Sequence, residues 1–261
     1  MAALRSHPAV RSRSDGTGEL ASSRAEVIRL NKELNSFTHS VSHDLGAPLR
    51  AVVGFAEALQ EECGDQLDAT ALEYVNEVRK AGDRMRVMLA GLITLANVAD
   101  GPLMPQDTDL SQIVREITDR LRRTDGERHV SVVIGDRVRA FADPDLIRTA
   151  LVQLLENAWR FTSGRANAAI EFGCGLDGSL FVRDNGAGFD SRYKAKLFAP
   201  FQVLHGEGDL GGLGLGLAIV ARIVHRHGGQ VWAQGEPGRG ANFSFSLPPE
   251  HAGIRASFDR E

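Results

Sequence analysis

Three groups of residues in this sequence have side chains or backbone geometry that could bind a nucleotide. Two of them are glycine-rich segments. The first, Asp184–Phe189 with the sequence DNGAGF, directly follows a strand pattern. Its acidic side chain can accept a hydrogen bond from an exocyclic amine, and its glycines let a ligand approach the backbone. The second, Gly212–Gly216 with the sequence GLGLG, opens a helix. The free N–H groups and positive dipole end of a helix N-terminus favour anions, so this segment predicts phosphate binding.

The third group lies on a helix, where Glu156 and Asn157 are adjacent and Phe161 follows one turn later. The side-chain oxygen of Asn157 is a hard donor of the kind that Mg²⁺ prefers when it also binds phosphates. Taken alone, each group is more often an ordinary turn, a solvated side chain or a packing device. Their occurrence in one chain, each in a suitable strand or helix context, predicts a site for a magnesium-bound nucleotide.

Two further glycine patterns are interpreted as accidental. Gly173–Gly178 matches GxGxxG but connects one strand to the next, and the match at Gly206–Gly211 follows a short helix instead of a strand. A dinucleotide-binding turn needs a strand before it and a helix after it. No Walker A sequence ending in Lys-Ser or Lys-Thr occurs either, which excludes a P-loop enzyme.

The composition is that of an ordinary globular protein. Of 261 residues, 43% are hydrophobic and 25% are charged, which suits one or two domains with a buried core. The formal charge of -4 argues against a nucleic-acid partner bound by bulk electrostatics. The sequence contains no run of about 18 apolar residues, so it predicts no membrane-spanning helix. The two cysteines, Cys63 and Cys174, lack metal or redox spacing and indicate a cytoplasmic protein.

The first hundred residues show helical patterns alone. Residues 1–23 are rich in Ser, Arg and Gly and predict a disordered segment or linker. Residues 24–100 predict a coiled-coil entry and an antiparallel helical hairpin that turns at Cys63–Asp65. The heptad seam of this entry consists of Val27, Leu30, Leu34 and Phe37. Because one hairpin leaves an apolar face uncovered, we expect two copies to form a dimeric four-helix bundle.

The remaining chain alternates between strand and helix periods. Residues 106–249 therefore predict an α/β sandwich, in which helices cover one face of an open sheet. Asp143 and Pro144 predict the start of a helix that runs to about Phe161. With a C-terminal tail at 250–261, the expected fold class is an α+β protein of two domains.

The motifs resemble, in their order, those of the sensor histidine kinases. The family's N, G1, F, G2, G3 and H boxes resemble Leu154–Ala158, Asp184–Phe189, Leu197–Phe201, Gly212–Ala218, Gly238–Ala241 and Ser42–Arg50. The resemblance spans about Asn31 to Pro248 and is greatest to the output modules of phytochrome-type kinases, as in VWAQGE at Val231–Glu236. It implies that the second domain has the ATP-binding fold of the histidine kinase (GHKL) type.

This resemblance implies an ATP-dependent protein-histidine kinase that phosphorylates its own His43. A lone histidine is more often a surface residue, but His43 stands beside Asp44 and before Pro48, as in the H box. The implied catalytic residues are His43 and Asp44, and Asn157 is the implied Mg²⁺ ligand. The implied ATP-binding residues are Asn157, Arg160, Phe161, Asp184, Gly186, Gly188, Gly212, Gly214, Gly216 and Leu217. The implied partners are the receiver domain of a response regulator, a second copy of the chain, and an upstream sensor domain or sensor protein.

Three positions depart from the family pattern. Gln153 stands where a second Asn is common in the N box, and Arg160 replaces the usual Lys, which keeps the charge but changes its geometry. Ala47 stands one turn after His43, where Thr or Asn usually supports dephosphorylation of the regulator, so we expect little phosphatase activity. Residues 205–210 predict a short glycine-rich lid that is mobile without nucleotide.

Two alternative functions remain open on the sequence alone. A pseudokinase or dimeric scaffold would bind ATP or a partner without phosphotransfer. A different ATPase with the same nucleotide fold would lack the Ser42–Arg50 motif. The input signal, the cognate regulator, the completeness of the chain, and the choice between phosphorylation within and between subunits have no sequence signature here.

Overall fold

The computed structural model describes residues 15–126, 128–194, 196–202 and 213–248. Its first part is a helical hairpin made of α1 (Asp15–Cys63) and α2 (Ala69–Asn97), with a 3-10 turn at Gly64–Gln66 between them. The turn lies where the sequence predicts it. Helix α1 is continuous through Pro48, and it begins at residue 15, inside the segment that was expected to be disordered.

The two helices pack through a seam of small and apolar side chains. Ser42, Leu49 and Ala56 of α1 are buried and recur every seven residues, which places them on one side of the helix. Gly82 of α2 marks the closest approach, because a Cβ atom there would lie 2.3 Å from Cγ2 of Val53 and 3.8 Å from Cδ1 of Leu49. Gly82 is therefore level with residues 49–53 of the antiparallel partner helix.

A second apolar face of the hairpin is exposed. Its members are separated by three, four or seven residues along each helix, and the most exposed is Phe55, at 73%. They are Leu45, Val52, Phe55 and Leu59 on α1 and Tyr74, Val78 and Met85 on α2. An apolar stripe of this length on both helices is typical of a face that a second hairpin covers.

The second part combines strands and helices. Its elements within the described residues are β1 (Gln106–Asp109), α3 (Leu110–Thr124), β2 (Val130–Ile134), β3 (Arg139–Ala142), α4 (Pro144–Phe161), β4 (Ala168–Cys174), β5 (Leu180–Asp184), α5 (Gly216–Arg226), β6 (Gln230–Glu236) and β7 (Gly240–Ser246). Five strands form one sheet in the order β2-β4-β5-β7-β6, in which β2 and β4 are parallel and the other pairs are antiparallel.

The three helices pack on this sheet and enclose the main core. Along β5, Leu180, Val182 and Asp184 are buried while the residues between them are less so, which shows that one face is covered. Phe172 of β4 and Phe245 of β7 have no exposed surface above 1% and fill the layer between sheet and helices. The predicted α/β sandwich is confirmed.

One strand has no signal in the sequence. Residues 106–109 read QDTD, which lacks alternation of apolar and polar residues, yet they form β1 by antiparallel pairing with β3. The Arg139 guanidinium on β3 donates to the carboxylates of Asp107 at 3.0 Å and Asp109 at 3.3 Å. Strand β1 therefore depends on a tertiary partner.

We expect Met85→Glu to weaken self-association of the hairpin, because a carboxylate buried without a partner between two copies costs several kilocalories per mole. Light scattering after gel filtration would measure the shift from dimer to monomer. Lys80→Glu is the matched control, because Lys80 lies on the opposite, solvated side of α2, with 62% of its side chain exposed. An unchanged mass for Met85→Glu would show that this face is not the dimer interface.

Candidate nucleotide site

A cavity of about 360 Å³ opens where α4, the N-terminus of α5 and the ends of β5 and β7 meet. Helix α2 of the hairpin forms a further wall of it. Its lining includes Gln153, Glu156, Asn157, Arg160, Phe161, Asp184, Gly188, Leu213, Gly214, Leu215, Gly216 and Leu217, with Val87, Ala90, Gly91 and Thr94 from α2.

Asp184 is the buried acidic group of this cavity. It is the last residue of β5, is 6% exposed, and pairs across the sheet with Ala241 of β7. Its Oδ1 atom accepts a hydrogen bond from the Gly186 amide at 2.8 Å. Burial raises the pKa of the Asp184 carboxyl, and hydrogen bonds from the Gly186 and Ala241 backbones partly oppose that rise. A ligand that brings an N–H donor would further stabilise the charged form.

The glycines after Asp184 leave no room for side chains. Gly188 has φ +66°, and a Cβ atom there would lie 1.9 Å from the carbonyl oxygen of Glu236 on β6. At Gly186 a Cβ atom would lie 2.4 Å from the carbonyl oxygen of Phe161, which ends α4. The DNGAGF sequence therefore lets the loop after β5 lie against both neighbouring elements, with Asp184 held beside the cavity.

Helix α4 contributes the polar wall. Asn157 is 8% exposed, and its Oδ1 atom accepts a hydrogen bond from Nη2 of Arg160 at 2.9 Å. The Arg160 guanidinium also lies 5.1 Å above the ring centre of Phe161. Glu156 forms an ion pair with Arg120 at 3.1 Å, and burial raises the pKa of its carboxyl against the opposing charges of Arg120 and Arg160.

The oxygen donors of this wall suit Mg²⁺ only together with a phosphate ligand. No group of three or more His, Cys, Asp or Glu residues that could hold a metal occurs within 15–126, 128–194, 196–202 and 213–248. Mg²⁺ commonly takes one or two protein oxygens and completes its shell with substrate phosphates and water. The Oδ1 atom of Asn157 is such an oxygen. It already accepts a hydrogen bond from the positively charged Arg160 side chain, so it faces a cationic group in this structure.

The start of α5 presents backbone N–H groups to the cavity without a side-chain cap from Leu215. Leu215 precedes the helix without a side-chain cap, so the first N–H groups of α5 have no capping acceptor there. Gly214 has φ +68°, its carbonyl oxygen accepts from the Phe201 amide at 2.9 Å, and a Cβ atom on it would lie 2.6 Å from the Gln202 nitrogen. Gly216 and Leu217 form the first turn and line the cavity.

Some residues of the predicted site lie outside the described part. Gly212 and the predicted lid at 205–210 are among them, as are residues 1–14 and the tail from 249 onward. The structure brings the other predicted ATP-binding residues together in one cavity, except that Gly186 supports it from behind, between Asp184 and Phe161.

The contribution of the hairpin to the cavity has no signal in the sequence. Val87, Ala90, Gly91 and Thr94 of α2 line it, and nothing in their types announces this role. Gln153, noted only as a departure, also lines the cavity, and its Oε1 atom lies 2.6 Å from where a Cβ atom of Gly216 would be. Its position one turn before Asn157 is the signal that pointed to it.

The hairpin register relates this cavity to His43. Because Gly82 is level with residues 49–53, His43 is level with residues 88–92 of the antiparallel helix. That stretch of α2 contains Ala90 and Gly91, which line the cavity. His43 and the nucleotide cavity thus lie in the same layer of the hairpin.

Comparisons with known proteins agree for both parts of the chain. Residues 33–101 match the family model of the His Kinase A (phospho-acceptor) domain, and residues 142–251 match that of the Histidine kinase-, DNA gyrase B-, and HSP90-like ATPase. No helix among the residues that the structure describes has the length and apolar character to cross a membrane.

Two curated relatives are 33% identical to this chain, in matches that each cover 88% of it. They are cyanobacterial phytochrome B of Nostoc sp., of which the match covers 31%, and the methanogenesis regulatory histidine kinase FilI of Methanothrix harundinacea, of which it covers 26%. The crystal structure of full-length ShkA in complex with AMPPNP matches 83% of this chain and 46% of that one, with a TM-score of 0.59 and 25% identity. The chain therefore spans about a third or less of the length of the curated relatives it matches.

Asp184→Asn should weaken adenine-nucleotide binding on the order of 10- to 100-fold, because the amide replaces a charged acceptor by a weaker one. Titration calorimetry with ATP would measure this. The thermal midpoint should change little, because relief of the buried charge offsets the weakening of the hydrogen bonds that the carboxylate accepts from the Gly186 and Ala241 backbones. Unaltered ATP affinity would place the base elsewhere.

Proposed function

The chain belongs to the sensor histidine kinases, and on that premise we propose that it transfers the γ-phosphate of ATP to His43 and from there to an aspartate of a response regulator. The observation that carries this proposal is the shared layer of His43 and the nucleotide cavity. ATP binding itself follows from the ATPase domain that residues 142–251 form.

In this reaction the residues of the cavity bind and orient the nucleotide. Asp184 accepts a hydrogen bond from the adenine amine, and Phe161 offers an apolar wall for the base. The backbone N–H groups at Gly214 and Gly216 face the phosphates, and the dipole of α5 favours their charge. Arg160 adds a further positive group that can turn from Asn157 toward the phosphates.

Mg²⁺ is the cofactor that we propose beside ATP. Asn157 would hold it through Oδ1, and the ion would neutralise charge on the phosphates as the phosphoryl group leaves.

The phosphoryl transfer joins a ring nitrogen of His43 to the γ-phosphorus and breaks the bond from that phosphorus to the oxygen bridging the β- and γ-phosphates. ADP leaves with that oxygen. The nucleophile is the unprotonated nitrogen of a neutral imidazole. Asp44, the next residue and an exposed one, accepts or orients the proton on the other ring nitrogen.

The partners follow from the same proposal. A second copy of the chain covers the exposed face around Phe55, and the receiver domain of a response regulator collects the phosphoryl group. An upstream sensor domain or sensor protein acts through α1, which contains both the heptad seam and His43. We place this activity in the cytoplasm, without a nucleic-acid partner.

A pseudokinase or scaffold is the competing function. The convergence of Asp184, Asn157 and the N-terminus of α5 on one cavity supports ATP binding, which an ATP-binding pseudokinase would share. The shared layer of His43 and this cavity is the observation that favours the kinase. No described feature of the molecule favours this alternative.

We expect His43→Ala to abolish phosphorylation and to leave ATP affinity within about twofold, because the nucleotide-binding groups lie in the second domain. Incubation with γ-labelled ATP and Mg²⁺ would show acid-labile, base-stable label on the parent chain only. Calorimetry with ATP is the control for an intact cavity. Label that persists on the variant would identify another acceptor.

Ala47 predicts low phosphatase activity toward the regulator. It is exposed one turn after His43 on α1, and its methyl group can neither orient nor activate a water molecule. The unphosphorylated protein with ADP should therefore not accelerate the decay of a phosphorylated regulator, followed by gel or by release of phosphate. Ala47→Asn is the variant in which a gain is expected, and rapid decay with the parent chain would contradict the prediction.

A further inference from the structure

Helix α5 is attached to the hairpin side of the molecule at both of its ends. Its N-terminus belongs to the nucleotide cavity, and its C-terminus lies against the linker that follows α2. One helix of 11 residues therefore connects the phosphate-binding end of the cavity to the linker that follows α2.

The N-terminal attachment is an apolar contact. Leu215, the residue before α5, is 4% exposed and packs against Gly91 of α2. A Cβ atom on Gly91 would lie 2.7 Å from Cδ1 and 3.3 Å from Cβ of Leu215. The absence of a side chain at Gly91 is thus what lets Leu215 seat on α2.

The C-terminal attachment consists of hydrogen bonds from a charged side chain to backbone carbonyls. The guanidinium of Arg226, in the last turn of α5, donates to the carbonyl oxygens of Val98 and Gly101. Val98 is the C-cap of α2 and is 3% exposed, so its carbonyl carries the negative end of that helix dipole. Hydrogen bonds from a charged donor to such carbonyls are stronger than neutral ones.

The next residues extend this attachment into the second domain. His227 is 2% exposed and its Nε2 atom accepts from the Asp143 amide at 3.0 Å. The Asp143 carboxylate caps α4 and also accepts from the amide of Met104 at 3.1 Å. The linker between α2 and β1 is therefore held by the end of α5 and by the start of α4, the helix that carries Asn157.

We propose that Arg226 is a positioning residue that holds the nucleotide domain on α2, in the layer of His43. This inference rests on the proposed function, since its kinetic consequence concerns transfer to His43. Held in one orientation, the cavity has a high effective concentration at the acceptor layer. A released domain loses this advantage and the α2 wall, but it keeps the groups assigned to ATP above, which all lie in the nucleotide domain.

The test compares Arg226→Gln with the parent chain by two measurements. For the first, spin labels on Glu61→Cys and Leu176→Cys report the distance between hairpin and nucleotide domain in a background of Cys63→Ser and Cys174→Ser. Both label sites are exposed, Leu176 at 96%. Dilution with unlabelled chain restricts the signal to one subunit. We expect a narrow distance distribution for the parent and a broad one for Arg226→Gln.

The second measurement separates positioning from binding. Arg226→Gln should lower the autophosphorylation rate at saturating ATP at least about fivefold while the Kd for ATP stays within about twofold. Arg122→Gln is the matched control, since Arg122 on α3 pairs with Asp119 of the same helix and should change neither rate nor distance. A rate and a distance distribution like those of the parent would overturn the proposal, and so would a rate that rises on release.

Gly91→Leu tests the other end of α5 without weakening α2, because leucine is a better helix former than glycine. It should broaden the same distance distribution, and that distribution is its only readout, because Gly91 also lines the nucleotide cavity. An unchanged distribution would remove the Leu215 contact from the proposal. If the parent chain itself forms no phosphohistidine, the proposed function fails, while the distance measurements still decide whether Arg226 holds the two domains together.

Discussion

The second domain is built around one carboxylate that is buried at the end of a strand. Asp184 is held by backbone amides of Gly186 and Ala241, and burial keeps the pKa of its carboxyl above the ordinary value. To keep that carboxylate beside the cavity, the loop after β5 must lie against the end of α4 and against β6 at distances that exclude a Cβ atom. The glycines of DNGAGF follow from this requirement, because a side chain at Gly186 or Gly188 would clash with Phe161 or Glu236.

The same arrangement makes one site out of elements that have separate structural tasks. Helix α4 buries Leu151, Leu154 and Leu155 in the core and turns Asn157 and Arg160 toward the cavity. Helix α5 buries Ile223 and Val224 and presents its first turn to the same space. Since both helices are fixed by their apolar sides, their polar ends meet a nucleotide without further rearrangement of the core.

The hairpin takes part in this site, in addition to carrying the exposed apolar face around Phe55. Its α2 helix closes one side of the cavity, and its register sets His43 level with Ala90 and Gly91. Helix α1 is continuous from Asp15 to Cys63 and packs along α2, which contacts Leu215 at Gly91. A continuous series of packed elements therefore connects α1 to the start of α5.

The sequence by itself determined several features whose cause is local. The hairpin turn at Gly64, the Asp143 and Pro144 start of α4 and the DNGAGF loop depend on residues next to one another, and the structure has them where the sequence predicts. Local composition was misleading at residues 15–23, which form the start of α1 where disorder was expected. The proposal that His43 is the acceptor also has a local origin, because it rests on the resemblance of Ser42–Arg50 to the H box.

Only the tertiary structure decided which of these elements meet. The QDTD strand pairs with the strand that contains Arg139, and α2 forms one wall of the cavity. Arg226 donates a hydrogen bond to the carbonyl oxygen of Val98, which is 128 residues away in the chain. Gly91 gave no sign of its role, because a missing side chain matters only once Leu215 is opposite it. Contacts of this kind depend on how two finished surfaces fit, and neither surface is encoded in a local run of residues.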